Sequence, residues 1–214
     1  VLVATNEEKL KHTEDLSKDI NPKAQTLIVK ADVGKEEEVK NYVDKTMEKF
    51  GRIDGFFNNA GIEGKQNLTE NYTAEEFQRV VDINLNGVFY GMKYVLKVMH
   101  EQGEGAIVNS ASVGGIRGVG NQSGYSATKH GVVGLTRNSA VEYGQYGINI
   151  NAIAPGAIMT DMVEGSLRQM GGDDWEAGGK VEEVAGVVAF LLSKDAGFIN
   201  GQVLPIDGGQ SYKY

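Results

Sequence analysis

Ser112, Tyr125 and Lys129 stand close together in the stretch SVGGIRGVGNQSGYSATK, residues 112–129, and between them offer a hydroxyl, a phenol and an amine. Tyr125 and Lys129 are four positions apart, and the run GYSATKHGVVGLTRNSAVEYG that contains them reads as a helix. At that spacing both side chains leave one face about one turn apart. A free phenol has a pKa of about 10, but a neighbouring ammonium favours the phenolate and lowers that value. A shift of roughly 3 units needs about 4 kcal/mol, and the expectation is that Lys129 supplies much of it. Ser112 ends the apolar run Ala106-Ile107-Val108 across a Gly-rich turn, where its hydroxyl can donate to a carbonyl oxygen. The set therefore suits proton transfer to the oxygen of a carbonyl, or from that of an alcohol. A Tyr and a Lys at helical spacing also occur on solvated faces, so the elements that position them decide the matter.

Composition narrows the function classes. The chain has 214 residues, enough for one α/β domain with a sizeable core, and its 29 glycines fall at element ends rather than in a low-complexity tract. It has no cysteine, so neither a disulfide framework nor thiolate chemistry is expected, and a reducing, cytoplasmic location fits. Its three histidines, His12, His100 and His130, are scattered, and no metal site is expected. A formal charge of -8 without a basic stripe argues against a nucleic-acid partner. The apolar run VAGVVAFLL is far short of the roughly 20 residues of a membrane span, so no membrane partner is expected either.

Along the chain, short apolar runs alternate with amphipathic ones. Strands are expected at 1–4, 26–29, 53–57, 106–109, 148–154 and 202–206. Helices are expected between them: one capped by Asn6 and ended at Asn21-Pro22, one with Val39, Val43, Met47 and Phe50 inward and stopped by Gly51, and a long one over 74–102 with Phe77, Val81, Val88, Met92 and Met99 inward. Two more are expected over 123–143 and 182–193. Strands almost continuously apolar and separated by helices imply a doubly wound parallel sheet of Rossmann type. Such sheets bind ligands beyond the carboxyl ends of their strands. Asn58-Asn59-Ala60-Gly61, Ser112 and Pro155-Gly156 each follow a strand, where turn formers also occur for purely local reasons.

Taken in order, Asp32-Val33, Asn58-Asn59-Ala60-Gly61, Asn84 in INLNGVF, Ser112, Tyr125 with Lys129, Pro155-Gly156 with Thr160, and Asp207-Gly208-Gly209 resemble the short-chain dehydrogenase/reductase family along the whole chain. The stretches FGRIDGFFNNAGIEGKQN, ASVGGIRGVGNQSGY and INAIAPGAI are most similar to a member that reduces a cyclic diketone. The resemblance implies a single NAD(P)-binding domain over 1–214, with a substrate lid at about 158–180, acting on a small-molecule carbonyl or alcohol. It implies that Tyr125 is the general acid or base, that Lys129 lowers its pKa and contacts the nicotinamide ribose, that Ser112 polarises the substrate oxygen, and that Asn84 holds a water relaying protons from Lys129. Cofactor contacts are implied for Ala4, Thr5, Asp32, Val33, Asn58, Ala60, Gly61, Tyr125, Lys129, Pro155, Gly156, Ile158 and Thr160. Substrate contacts are implied for Ser112, Gly114, Tyr125, Met159 and Met162, with Met170 and Trp175 in the lid. A homotetramer is implied as well.

Three departures stand out. The family's first strand and its Gly-rich phosphate loop should precede Val1, yet no G-x-x-x-G-x-G occurs there, so a chain longer than the given 23.1 kDa is expected. The stretch between Met162 and Val181 is shorter than the family's lid. Ala4 and Thr5 stand where NAD-preferring members carry an acid, which permits NAD or NADP. Alternatives to a ketone reductase are a 3-oxoacyl thioester reductase, a glucose-type sugar dehydrogenase, or a cofactor-binding regulator without turnover.

Overall fold

A computed structural model describes residues 1–162 and 178–212. β1 (Leu2–Ala4) leads into α1 (Glu7–Ile20), whose first turn is closed by the Lys9 amide donating to the Asn6 side chain at 3.0 Å. β2 (Ile28–Lys30) and α2 (Glu36–Phe50) follow, and α2 stops at Gly51, whose φ of 70° suits a residue without Cβ. Then come β3 (Gly55–Asn58), α3 (Ala74–Val81), α4 (Gly87–Gln102), β4 (Gly105–Ser110), α5 (Ser123–Tyr143), β5 (Ile148–Pro155), α6 (Val181–Leu191) and β6 (Val203–Ile206).

Every strand pair is parallel, as strands buried on both faces and joined by helices require. The sheet comes in two pieces, β2-β1 and β3-β4-β5-β6. In a doubly wound order of 3-2-1-4-5-6 the place of strand 1 falls between them. In the larger piece successive side chains split between the faces. Ile107, Ile150 and Ala152 join a core with α2, α4 and α5, whereas Val108 and Ile153 pack with Val188 and Leu191 of α6. Burying each of these Ile, Val and Leu side chains contributes about 1.5–3 kcal/mol. Among the described residues, no helix is long and apolar enough to cross a membrane.

The helix expected over 74–102 is interrupted. A π turn, Asp82–Asn86, joins α3 to α4 and adds one residue to the winding. Counting back from Val88 at helical spacing therefore misses by one position. Val80, not Val81, is the fully buried residue of α3, and Phe77 is 41 % exposed. The lid expected at about 158–180, with Met170 and Trp175, lies mainly on 163–177, outside the described residues.

Candidate active site

The site is assembled at the carboxyl ends of β3, β4 and β5, which the parallel register aligns: Asn58 lies opposite Asn109, and Ser110 opposite Ile153. Beneath it runs a buried polar chain. Asn58 Nδ2 donates to the Val88 carbonyl at 2.9 Å and to Asn109 Oδ1 at 3.2 Å, and Asn109 Nδ2 donates to Thr136 Oγ1 at 3.0 Å. Strand ends are thus tied to both α4 and α5. The amide protons of Asn58 are used inside the protein.

Ser112 follows β4 and is buried. Its Oγ accepts from the Gly114 amide at 3.1 Å, which leaves the hydroxyl proton to donate elsewhere. The short turn Val113–Gly115 then presses on α5. A Cβ on Gly115 would come within 2.7 Å of the Lys129 carbonyl, so only glycine permits this approach. Gly114 lies against the Tyr125 ring, where its own Cβ would be 3.4 Å from Cδ1. Serine, the phenol ring and the backbone of the turn therefore meet.

Lys129 is 4 % exposed, and its Nζ donates to the Ser110 carbonyl at 2.7 Å. It lies 5.5 Å from the centroid of the Tyr125 ring, over its face. Burial lowers the ammonium pKa to about 8. The Tyr125 phenol moves the other way: burial raises its pKa, the Glu63 charge adds to the rise, and the Ser112 hydroxyl opposes it. This corrects the expectation that Lys129 brings the phenol down. The ammonium serves the Ser110 carbonyl and lies over the ring face, and burial is the largest influence on the phenol.

Asn84 is fully buried in the π turn. Its Nδ2 donates to the Ile62 carbonyl at 2.7 Å and, more weakly, to Thr128 Oγ1 at 3.4 Å, while its Oδ1 accepts from the Ile62 amide at 2.8 Å. The side chain clasps the loop after β3, with both amide protons engaged. Gly61 sits in this clasp: a Cβ would meet Asn84 Oδ1 at 3.2 Å and Lys129 Nζ at 3.5 Å. Four groups far apart in sequence are locked round one amine.

The remaining expected contacts line the same edge of the sheet. Ala4 ends β1 and Thr5 follows it, and Asp32 and Val33 follow β2, where Asp32 Oδ1 accepts from the Gly34 amide at 3.0 Å. Ala60 is exposed beside Gly61. Pro155 ends β5; Gly156 is packed so closely on Asp207 that a Cβ would lie 2.9 Å from that residue's Cβ. Ile158 is buried and bridges to Gly179, Thr160 donates to its carbonyl at 3.3 Å, and Met159 and Met162 are exposed at the described edge of the lid segment. Sequence reasoning missed Gly115, Glu63, Gln122 and Gln210, whose Oε1 accepts from the Ala157 amide at 3.1 Å. Only Gly115 carried a signal, as the second of two glycines after Ser112.

A nicotinamide dinucleotide suits these residues. The buried amine pairs with a carbonyl rather than a carboxylate and stands at strand ends, where the hydroxyls of a ribose find a charged donor, and Gly61 keeps the neighbouring backbone close to it.

The sequence profile described as Enoyl-(Acyl carrier protein) reductase matches residues 1–211. Levodione reductase of Leifsonia aquatica is 58% identical over 226 residues, covering 100% of this chain and 85% of that protein. The chain belongs to the short-chain dehydrogenase/reductase family. Cyclohexanol dehydrogenase of Acinetobacter sp. (strain SE19) is 44% identical over 86% of this chain and 74% of its own. Among solved structures of the family, levodione reductase superposes with a TM-score of 0.94 at 57% identity, covering 99% of this chain and 87% of that one. NAD+-bound xylitol dehydrogenase gives 0.88 at 32% identity, covering 97% and 87%. As a member of this family, the chain is an oxidoreductase that interconverts a ketone and a secondary alcohol.

Proposed function

We propose that the substrate is a cyclic ketone or the corresponding ring alcohol, and that Ser112, Tyr125, Lys129 and Asn84 carry the reaction. The observation behind this reading is the meeting of the Ser112 hydroxyl, the Tyr125 ring and the buried Lys129 amine at the ends of β4 and β5. Relatives named levodione reductase and cyclohexanol dehydrogenase support a ring substrate. Structures of relatives bound to NAD+ and to NADP support either dinucleotide here.

When bound, the dinucleotide supplies or accepts a hydride. Ser112 donates to the substrate oxygen and fixes it beside the phenol. Tyr125 gives that oxygen a proton in reduction and removes one in oxidation. A phenol raised by burial is protonated at neutral pH, which suits reduction; oxidation needs the phenolate. The ratio of oxidation to reduction therefore rises with pH. Lys129 holds the ribose and keeps a positive charge near the oxygen, and Asn84 acts as a positioning residue by fixing Gly61 and Ile62 against that amine. Gly114, Met159 and Met162 contact the substrate. Ala4, Thr5, Asp32, Val33, Asn58, Ala60, Gly61, Pro155, Gly156, Ile158 and Thr160 border the dinucleotide.

The chain acts as one domain over 1–214 and assembles as a homotetramer in the cytoplasm. Exposed Val141 and Phe198, with an open groove of about 460 Å³ lined by Arg137, Ala140, Asn200 and Gly201, give copies of the chain a surface to share, and the lack of cysteine suits a reducing compartment. Sedimentation at four times the chain mass is the expected result. A panel of cyclic ketones and 3-oxoacyl thioesters, assayed with NADH and NADPH, tests the substrate. Preference for the thioesters overturns the ring reading. Tyr125→Phe is expected to lower kcat by about 10²–10⁴-fold with dinucleotide affinity retained.

A further inference from the structure

Tyr125 stands in the first turn of α5, and that turn is weakly held from within. Gln122 at its start makes no side-chain cap, and the residue before Tyr125 is Gly124, a poor helix former. Just upstream the backbone enters the left-handed region at Asn121, φ 61°, and the Asn121 carbonyl accepts from the Asn67 amide at 2.8 Å. Neighbouring segments therefore have to hold the turn. One is the stretch 112–115, where Gly114 lies against the Tyr125 ring. Another is Tyr72, just ahead of α3. Its ring lies so close to Gly124 that a Cβ there would be 3.2 Å from Cε1 and 3.2 Å from the hydroxyl oxygen. A Cβ on Gly64, whose φ is 79°, would be 2.7 Å from the same oxygen. The ring is thus wedged between the loop after β3 and the start of α5. Its hydroxyl is buried without a hydrogen-bond partner among the described residues, which costs stability, so shape rather than a hydrogen bond keeps the ring there.

We propose that Tyr72 is a positioning residue for the reaction: its ring, wedged between Gly64 and Gly124, fixes the first turn of α5 and so keeps the Tyr125 hydroxyl aimed at the substrate oxygen beside Ser112. This rests on the reading of Tyr125 as general acid and base given above. The demand on position is severe, because displacing a reacting group by about 1 Å costs about 100-fold in rate. A helix start with a glycine and no cap does not meet that demand by itself. A rigid aromatic ring in a close-packed slot does. The two glycines belong to the same arrangement, since a side chain at 64 or 124 would press on the ring.

The test is turnover by Tyr72→Phe, Tyr72→Leu and Gly124→Ala, using the ketone that the wild type reduces fastest in the panel above and the corresponding alcohol, each variant assayed below its melting temperature. Tyr72→Phe keeps the ring, and its kcat is expected to stay within about 2-fold of wild type with the pH profile in place. Tyr72→Leu is expected to lower kcat by about 10-fold or more with KM for the dinucleotide unchanged. It should also move the rise of oxidation to lower pH, because water entering the gap relieves the burial that raises the Tyr125 phenol. Gly124→Ala favours the helix yet presses on the ring, so kcat is expected to fall by about 10-fold in a folded chain. This variant carries the test where Tyr72→Leu does not fold. Wild-type kcat and pH profile in Tyr72→Leu, or wild-type kcat in Gly124→Ala, overturns the assignment, as does a Tyr72→Phe enzyme slowed as much as Tyr72→Leu. Tyr125→Phe measured beside them separates the two claims. Full turnover in that variant overturns the Tyr125 reading and this assignment together, whereas its inactivity beside an unimpaired Tyr72→Leu overturns the role of Tyr72 alone.

Discussion

The two pieces of the sheet are built to different standards. In β3-β4-β5-β6 the residues around the candidate chemistry are locked: Asn58, Asn109 and Thr136 form a buried chain, Asn84 clasps Ile62, and Lys129 is enclosed under Ser110. In β2-β1 the strands span three residues each, none of Leu2, Val3 and Ala4 is fully buried, and Thr5 is exposed. Groups that move protons need fixed geometry and a low-dielectric setting, whereas a surface that selects between two cofactors needs only one well-placed side chain. Substitutions in the first region should therefore change both stability, in either direction, and turnover, and substitutions in the second should alter selectivity alone.

Lys129→Met gives the largest contrast. Turnover is expected to fall by about 10²–10⁴-fold. Stability should rise, because the ammonium pKa is lowered from 10.5 to about 8 by burial. Below pH 8 both states carry the proton and the folded state bears the cost; between 8 and 10.5 the unfolded state binds more protons, so wild-type stability climbs with pH. After the loss of the Ser110 contact, a net gain of about 2 kcal/mol is expected in urea melts at neutral pH, fading toward pH 10.5. A variant less stable than the wild type at neutral pH would falsify the claim that this region bears a buried charge for function.

Asn84→Ala should be the converse, losing stability by about 2–3 kcal/mol because the Ile62 amide and carbonyl are stranded, and losing turnover with it. Retained stability would mean the clasp is not part of the locked half. Smallest is Ala4→Asp. It should leave the melting midpoint unchanged while lowering kcat/KM with NADPH, relative to NADH, by about 10-fold, since an acid there repels a 2′-phosphate. A shift in folding rather than selectivity would erase the distinction between the two halves.

Much of the candidate site is legible in the sequence because it depends on local order. Tyr125 and Lys129 share a face by helical spacing, and Asn58, Ser112 and Pro155 fall at strand ends by the alternation of apolar runs. What stayed hidden depends on contacts between distant segments. The π turn at Asn84 has no signature of its own in INLNGVF, and it moved the buried position from Val81 to Val80. Glu63 carries no mark of its own in GIEGKQN, and only the packed structure brings Gln122, far along the chain, to its carboxyl group.

The sequence by itself determined a parallel α/β fold, through its periodicity, and pointed to a family through the order of its motifs, with a hydroxyl, a phenol and an amine among them. Only the tertiary structure decided how the groups are charged and aimed. Burial is the largest influence on the Tyr125 phenol; Lys129 turns to the Ser110 carbonyl; and Asn84 clasps the loop at Ile62. Desolvation and hydrogen-bond partners are properties of the packed molecule, and no spacing of residues along a chain specifies them.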